Sequence, residues 1–377
     1  MSAFLSSPFR VFFFLANTYA VIAIGAWLLF IGGFSVASEI SLAWHIREML
    51  FAFVGTVMLG FLLTASANWS GQPALKGNAL LFLAIAWIVS RFLWLFSDHF
   101  AVAAGLDALV FLGGAIKLGH MLYSASNRRN YAFVLVLLLF SAFCCYEFIH
   151  LSATSFPPLS HYQVVMFLMI HVVLVMGGRV IPFFTDRGLV RETTKRYVWL
   201  ENCSLLSSIA FIGTLLLAVG VGIDRIILQA LSALVVIFNL LRWLSWKPWQ
   251  TRANAMLWPL HLSYLLVCFG FVAYAFDAPS AIVMHIFAIG GFGVIILSMT
   301  SRVTLGHTGR PLVIPKGMHF AFYVLLLALF GRVSAVLIPQ AYLALISLSG
   351  LCWMLAYMLY LRCFAPMLWS ERADSKS

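Results

Sequence analysis

The sequence predicts an all-α polytopic membrane protein of about twelve transmembrane helices with both tails cytoplasmic. Three observations predict it: an extreme apolar composition, the length of the apolar runs, and the side on which the basic residues fall. Of 377 residues, 63% are hydrophobic and 9% are charged. A soluble domain runs at about 45–50% apolar and about 25% charged. No water-soluble fold hides this much apolar surface. A soluble enzyme, a nucleic-acid-binding domain and a disordered chain are therefore excluded, and the lipid bilayer is the solvent that fits.

The spans follow in order. A spanning helix needs about 20 apolar residues. Apolar runs fall at 11–33, 48–67, 79–96, 100–123, 131–150, 161–178, 203–220, 224–243, 255–276, 280–300, 317–336 and 341–363. Most are bounded by Gly, Pro, Asn or charged residues. They are too long for the alternating ten-residue strands of a barrel. The first run stays apolar past the length of a leader's apolar region and lacks a small-residue cleavage site, so it reads as a span. Residues 1–377 read as a single integral membrane domain, with no soluble domain.

The net charge of +11 is a topology signal before it is anything else. Twelve spans place the tails and the even-numbered loops on one side. Eighteen of the 23 Lys and Arg residues fall there. Only Arg47, Arg225 and Arg332 fall on the other side, and Arg91 and Lys117 lie inside runs. Cytoplasmic loops carry the Lys/Arg excess, so the tails point inward, and contact with anionic lipid follows as a by-product. The six cysteines form neither C-x-x-C nor C-x-x-C-H, which leaves them as small buried hydrophobes.

Ionisable residues inside a membrane are costly, and each poses a functional question. Glu48, Arg91, Asp107, Glu147, His150, His171 and His285 fall in the outer halves of the runs. Arg91 and Asp107 sit on consecutive helices and read as an interhelical ion pair. Glu147 and His150 share a helix face. They supply half of a di-iron carboxylate motif whose second half is missing. The segment Trp44-His45-Ile46-Arg47-Glu48-Met49 opens the second helix, with His45, Glu48 and Met49 at i, i+3 and i+4. It reads either as an aromatic-anchored cap or as a ligand set, with imidazole and thioether as metal donors and the carboxylate orienting an imidazole.

His171 lies near mid-membrane on helix 6, and His285 lies about five residues into helix 10. Together with His45, these core-facing histidines step by four helices, through helices 2, 6 and 10. That step suggests three arcs of four helices with weak pseudo-threefold character. Toward the inner side, His261 is a further candidate ligand. His307 sits in a Gly-rich turn between Arg302 and Arg310, where backbone donors and guanidinium groups suit an anion such as a lipid phosphate or a haem propionate.

At these residues the sequence resembles the NnrS family. The resemblance rests on Pro8-Phe9-Arg10, on Trp44-His45 through Glu48-Met49, and on Gly60-Phe61-Leu62-Leu63-Thr64-Ala65 with Asn68-Trp69-Ser70-Gly71. It continues through Gly177-Gly178-Arg179-Val180-Ile181-Pro182 with Phe184-Thr185. Its most specific segment is Arg302-Val303 with Leu305-Gly306-His307-Thr308-Gly309-Arg310-Pro311-Leu312. The resemblance implies a haem- and copper-containing bacterial inner-membrane protein linked to nitric oxide metabolism and relief of nitrosative stress. A weaker, architectural likeness to haem-copper oxidase catalytic subunits rests on twelve helices with histidines on helices 2, 6 and 10. Helix 7 lacks a His-His pair and helix 10 has one histidine, so a full binuclear oxygen-reducing site is not expected.

Joined to that resemblance, the residues suggest one b-type haem in the outer half, held by His45 and His285, with Arg47 and Arg332 neutralising its propionates. His171, with Met49, is the copper candidate. Glu48 and His261 complete the possible metal donors, and Arg302, His307 and Arg310 form an inner cofactor- or lipid-binding turn. Nitric oxide is the expected ligand, by binding or by redox activity, and the sequence names no electron donor. The rival reading is a secondary transporter of a small metabolite or a metal–nitrosyl complex, with Arg91, Asp107 and Glu147 along its path.

Overall fold

A computed structural model of the protein describes residues 2–34, 40–152 and 158–376. Among them are twelve helices long and apolar enough to cross a membrane, and no strand. In order they are Pro8–Ile31, Leu42–Ser70, Asn78–Phe96, Phe100–Ser124, Arg128–Leu151, Leu159–Leu189, Val198–Val221, Arg225–Ser245, Trp258–Ala275, Ser280–His307, Lys316–Leu337 and Pro339–Trp369. The number and order of the spans match the apolar runs.

Several spans run further than their apolar runs, and three of these matter for the site. The sixth continues through Gly177 and Pro182 to Leu189. Pro182 cannot donate its backbone hydrogen bond and crowds the preceding turn. Such a residue is tolerated in a spanning helix because side chains and neighbouring helices satisfy the freed groups. One turn on, Thr185 Oγ1 donates to the Ile181 carbonyl at 2.8 Å. The tenth span likewise keeps Arg302 and His307 in helix. The second begins at Leu42, capped by Ser41, whose side chain accepts from Trp44 N at 3.2 Å. His45 and Arg47 therefore lie within the helix and do not precede it.

The chain divides into two compact units. The first comprises Met1–Tyr162, Val303–Pro311 and Leu361–Ser377, and the second Gln163–Arg302 and Leu312–Tyr360. Each has an aromatic core. Phe51 packs against Phe111, Phe140 and Phe143 in the first. Phe167 packs against Phe211, Phe271 and Phe287 in the second. Large apolar residues such as Phe82, Phe92, Leu206 and Phe330 stand exposed along the helices, as a lipid-facing surface requires.

Two spans share an uncommon backbone. The second runs as α-helix over Leu42–Arg47, then as π-helix over Glu48–Gly55, then as α-helix again. The tenth repeats the sequence of forms, with Ser280–His285 α-helical and Ile286–Gly293 π-helical. The wide turns show in Thr56 N bonding the Phe51 carbonyl and Val294 N bonding the Ile289 carbonyl, each five residues back. π-helical turns are rare and concentrate at functional sites. These two spans are also the most enclosed, with 78% and 72% of their apolar windows buried against 28% for the seventh and eighth. The sixth span has no such stretch, so in the backbone the histidine pattern on helices 2, 6 and 10 is a pair.

Candidate functional site

In the first unit the π stretch of the second span opens onto a closed ring of charges. Arg47 Nη1 lies 2.5 Å from Glu48 Oε1, and Arg91 Nη1 lies 2.7 Å from the same oxygen. Both guanidiniums also bond Asp107 Oδ2. Glu48 Oε2 accepts from the Tyr19 hydroxyl, and Trp94 Nε1 donates to Asp107 at 3.2 Å. The Arg47 guanidinium stacks over the Trp94 ring at 4.1 Å. All four ring members are almost wholly buried, with Arg47 and Glu48 at 0% exposure, Asp107 at 2% and Arg91 at 4%. Two positive and two negative charges alternate around the ring, so it is neutral as a unit. That is how such groups are carried in a low-dielectric interior.

This ring joins the expected Arg91–Asp107 ion pair and corrects two other expectations. Arg47 was a candidate propionate partner, but its two Nη donors are directed at Glu48 and Asp107 and its Nε faces Glu147 at 3.5 Å. Glu48 was a candidate metal donor, but both of its oxygens hold ring or tyrosine partners. Neither is open to an added group. His45 points elsewhere, its imidazole stacked on Trp27 with centroids 4.5 Å apart and planes 13° apart. The shared face of His45, Glu48 and Met49 does not act as one ligand set, because the helix changes form at Glu48. The path expected of a transporter is not formed either, since Arg91, Asp107 and Glu147 are tied to one another through Arg47.

In the second unit, the tenth span places His285 on the residue just before its π stretch. His285 Nδ1 lies 2.7 Å from the Ala281 carbonyl. A carbonyl can only accept, so Nδ1 carries the hydrogen and Nε2 carries the lone pair, the tautomer a metal ligand needs. The guanidinium of Arg332, on the eleventh span, is close enough for its charge to act on this imidazole. Arg332 Nη1 is buried and has no hydrogen-bond partner among the described residues. An imidazole lone pair and an unpaired guanidinium donor thus sit together in one unit.

The same unit holds the other candidate histidines. His171 Nδ1 lies 2.9 Å from Ser208 Oγ, which donates onward to the Ser204 carbonyl at 2.9 Å. This chain of donors leaves the lone pair on Nε2. His261 is the reverse. Its Nε2 meets Thr185 Oγ1 at 2.8 Å, so the lone pair falls on a buried Nδ1 without a partner. No group of three or more His, Cys, Asp or Glu that could hold a metal ion occurs among the described residues. The imidazoles each offer one nitrogen donor on their own. They do not assemble the multi-donor cage typical of a copper centre.

Sequence reasoning missed a second buried polar cluster. Arg242, 4% exposed, donates from Nε to Glu201 at 3.0 Å, and from Nη1 to the Leu174 carbonyl at 2.9 Å, Tyr264 at 3.1 Å and Ser204 at 3.2 Å. Tyr264 and Ser204 both donate to Asn239 Oδ1, at 2.5 and 2.7 Å. Gly178 is the seat of this guanidinium, because a Cβ there would overlap it. By sequence Arg242 was counted with the inner loops. The available signal was Asn239, a polar residue inside an apolar run, three positions before Arg242 and on its face.

The Gly-rich turn is filled by the chain itself. Arg310 Nη2 donates to Ser370 Oγ at 3.0 Å, and the Ala373 amide donates to the Thr308 carbonyl at 2.9 Å. Gly309 adopts φ +70°, which favours glycine, and Asp374 lies against it. Arg10 Nη1 donates to the carbonyls of Met367, Leu368 and Ser370 at 3.2, 2.9 and 2.5 Å. Arg372 pairs with Asp374 at 2.6 Å, which holds that exposed carboxyl below the usual carboxylate range. The His307 ring rests against Phe9 at 5.4 Å. In the second unit, Arg302 stacks over Phe184 at 4.0 Å. The expected anion-binding turn is instead a docking place for the C-terminal segment.

Fold and site define a polytopic all-α membrane protein whose two most buried spans both break into π-helix beside chemically active side chains. The family model described as NnrS protein matches residues 3–372 of the chain, and the chain belongs to the NnrS family. A search of the curated proteins finds no match.

Proposed function

We propose that the chain is a haem-binding protein of the bacterial inner membrane that handles nitric oxide and so relieves nitrosative stress. The observation that carries this reading is the pair formed by His285 and Arg332. The imidazole is fixed by Ala281 in the tautomer that presents Nε2 to a metal. The Arg332 donor without a partner suits a carboxylate such as a haem propionate, for which guanidinium geometry is matched. A haem iron at this place would supply nitric oxide binding and one-electron exchange. The protein's own part is to orient the imidazole, to offer a buried positive charge to the propionate, and to exclude water through the apolar walls of the tenth and eleventh spans. His45, stacked on Trp27 in the first unit, is a second candidate haem ligand, and His171 is the candidate donor for copper.

The test is an absorption spectrum of detergent-purified protein, expressed with ample haem, with and without nitric oxide, together with iron and copper content per chain. His285→Ala is expected to lose haem absorbance. Arg332→Gln, which removes one charge-assisted hydrogen bond, is expected to weaken haem binding by about 10–100-fold. Full haem retention in both variants would overturn the assignment of His285 and Arg332. Copper content unchanged in His171→Ala would remove His171 from the copper reading.

A further inference from the structure

Three carboxyl groups surround the ring of the first unit, but only two guanidiniums are present. Arg47 and Arg91 are each shared between Glu48 and Asp107, which closes a neutral set. Glu147, on the fifth span, stands outside it. Its side chain is 0% exposed. Oε1 accepts from the Tyr162 hydroxyl at 2.7 Å. Oε2 lies 3.5 Å from Arg47 Nε, beyond an aligned hydrogen bond, and has no hydrogen-bond partner. An ionised Glu147 would add a net negative charge to a buried set already in balance, with one oxygen unsatisfied. Burial of a charge without its own counter-ion is among the most expensive arrangements in a protein interior, and such a group neutralises instead.

We propose that Glu147 is a proton-binding site, its carboxyl protonated in the resting protein and able to exchange that proton with water while Glu48 and Asp107 stay paired with the two guanidiniums. The groups facing it from every packed element agree with this assignment. They are Arg47 and Glu48 on the second span, Asp107 on the fourth, the Cys144 thiol one turn before it on its own span, and Tyr162 on the sixth, while Tyr19 on the first and Arg91 on the third bond Glu48. Both guanidiniums are committed to Glu48 and Asp107, and neither tyrosine nor the thiol carries positive charge. The Tyr162 hydroxyl donates equally well to a carbonyl oxygen, so protonation at Oε2 keeps that bond intact. Release of the proton would leave one negative charge beside Arg47 without breaking the ring. This assignment does not depend on haem.

Infrared spectroscopy of the purified protein tests the proposal, with pH as the titrant and light or heavy water as solvent. The wild-type protein is expected to show a protonated-carboxyl C=O band at neutral pH that moves down in heavy water and fades at alkaline pH. Glu147→Gln, nearly isosteric, should abolish that band. Tyr162→Phe should shift it upward by removing the hydrogen bond to the carbonyl oxygen. The band persisting unchanged in a folded Glu147→Gln protein would overturn the proposal. Should Glu147→Gln not fold, an unmoved band in Tyr162→Phe overturns it. Absence of any such band in the wild type, with thermal stability that rises on adding sodium, overturns it in favour of a bound cation.

Discussion

The two π-helical breaks look alike in the backbone and differ in what their neighbours do. At the break in the second span, the charges close on one another. Arg47, Glu48, Arg91 and Asp107 bond one another through the guanidinium Nη donors, and of the two Nε donors that lack a hydrogen-bond partner, that of Arg47 already faces Glu147 at 3.5 Å. At the break in the tenth span, the polar groups are fewer and less complete. His285 keeps a lone pair on Nε2, and Arg332 keeps a donor without a partner. A π turn opens a place in a helix, but the neighbouring side chains decide whether the place is filled from within. The first break is filled by its own ion pairs, with the proposed proton-binding carboxyl at its edge. The second is where the proposed haem reading places its ligand and its cationic partner.

The strongest way to break this comparison is to remove the centre of each unit's polar cluster. Arg47→Met leaves Glu48, Asp107 and Glu147 facing a single guanidinium in a buried site. Removing one partner of a buried ion pair costs about 3–5 kcal/mol. The expected result is a large drop in the melting temperature of the detergent-solubilised protein, or no folded protein. Arg242→Met removes an arginine whose acidic partner, Glu201, is 21% exposed. Glu201 can then reach water, so the loss should be smaller. Equal losses in the two variants would mean that the ring is no more enclosed than the Arg242 cluster, and the contrast between the units would fall.

A smaller effect sharpens the role of the sixth span. Gly178 leaves room for the Arg242 guanidinium. Gly178→Ala should displace that guanidinium and cost about 1–3 kcal/mol, as overpacking does. In the Arg242→Met background the clash is relieved, so the cost should shrink markedly. A double-mutant cycle on thermal or denaturant stability measures this coupling. Additive effects would show that Gly178 serves some purpose other than seating Arg242.

Much of the fold was legible because a bilayer makes it so. Every spanning segment must be a long apolar helix, and the twelve runs became the twelve spans. Charge placement inside the membrane was partly legible, since Glu48, Arg91, Asp107 and Glu147 stand out in apolar runs. Their partnership was not, because Arg47 appeared as a surface residue until the helix was seen to begin at Leu42. The π stretches left no periodic signal, since Glu48–Gly55 and Ile286–Gly293 are nearly all apolar and gain their form from packing. His285 was legible as a candidate, but its tautomer was not, because that depends on the Ala281 carbonyl one turn back. The turn around His307 misled for a different reason. Its Arg310 does bind an acceptor, but that acceptor is the Ser370 hydroxyl, and the Thr308 carbonyl takes the Ala373 amide, both far away in sequence.

The smallest expected effect concerns that docked segment and its dependence on pH. The Asp374 carboxyl is held below its ordinary range by Arg372. A group with a lowered pKa in the folded state contributes fully above its unfolded value and loses that contribution as pH falls through the folded one. The Arg372–Asp374 pair should therefore hold at neutral pH and weaken only under acid conditions, below the usual carboxylate range. Both residues are about half exposed, at 50% and 52% of their side chains, so screening keeps the gain small. Both partners lie in the segment, so loss of the pair acts by freeing Arg372, whose Nη1 donates to the His307 carbonyl at 3.3 Å. Loosening of residues 371–376 is expected as a local event, with the Arg10 contacts to the backbone of 367–370 surviving because they do not titrate. A spin label placed at Ala373 should gain mobility on acidification in the wild type and be mobile at every pH in Asp374→Asn. A label equally immobile at neutral and acid pH in both proteins would show that the Ala373–Thr308 backbone contact, and not the ion pair, holds the segment down.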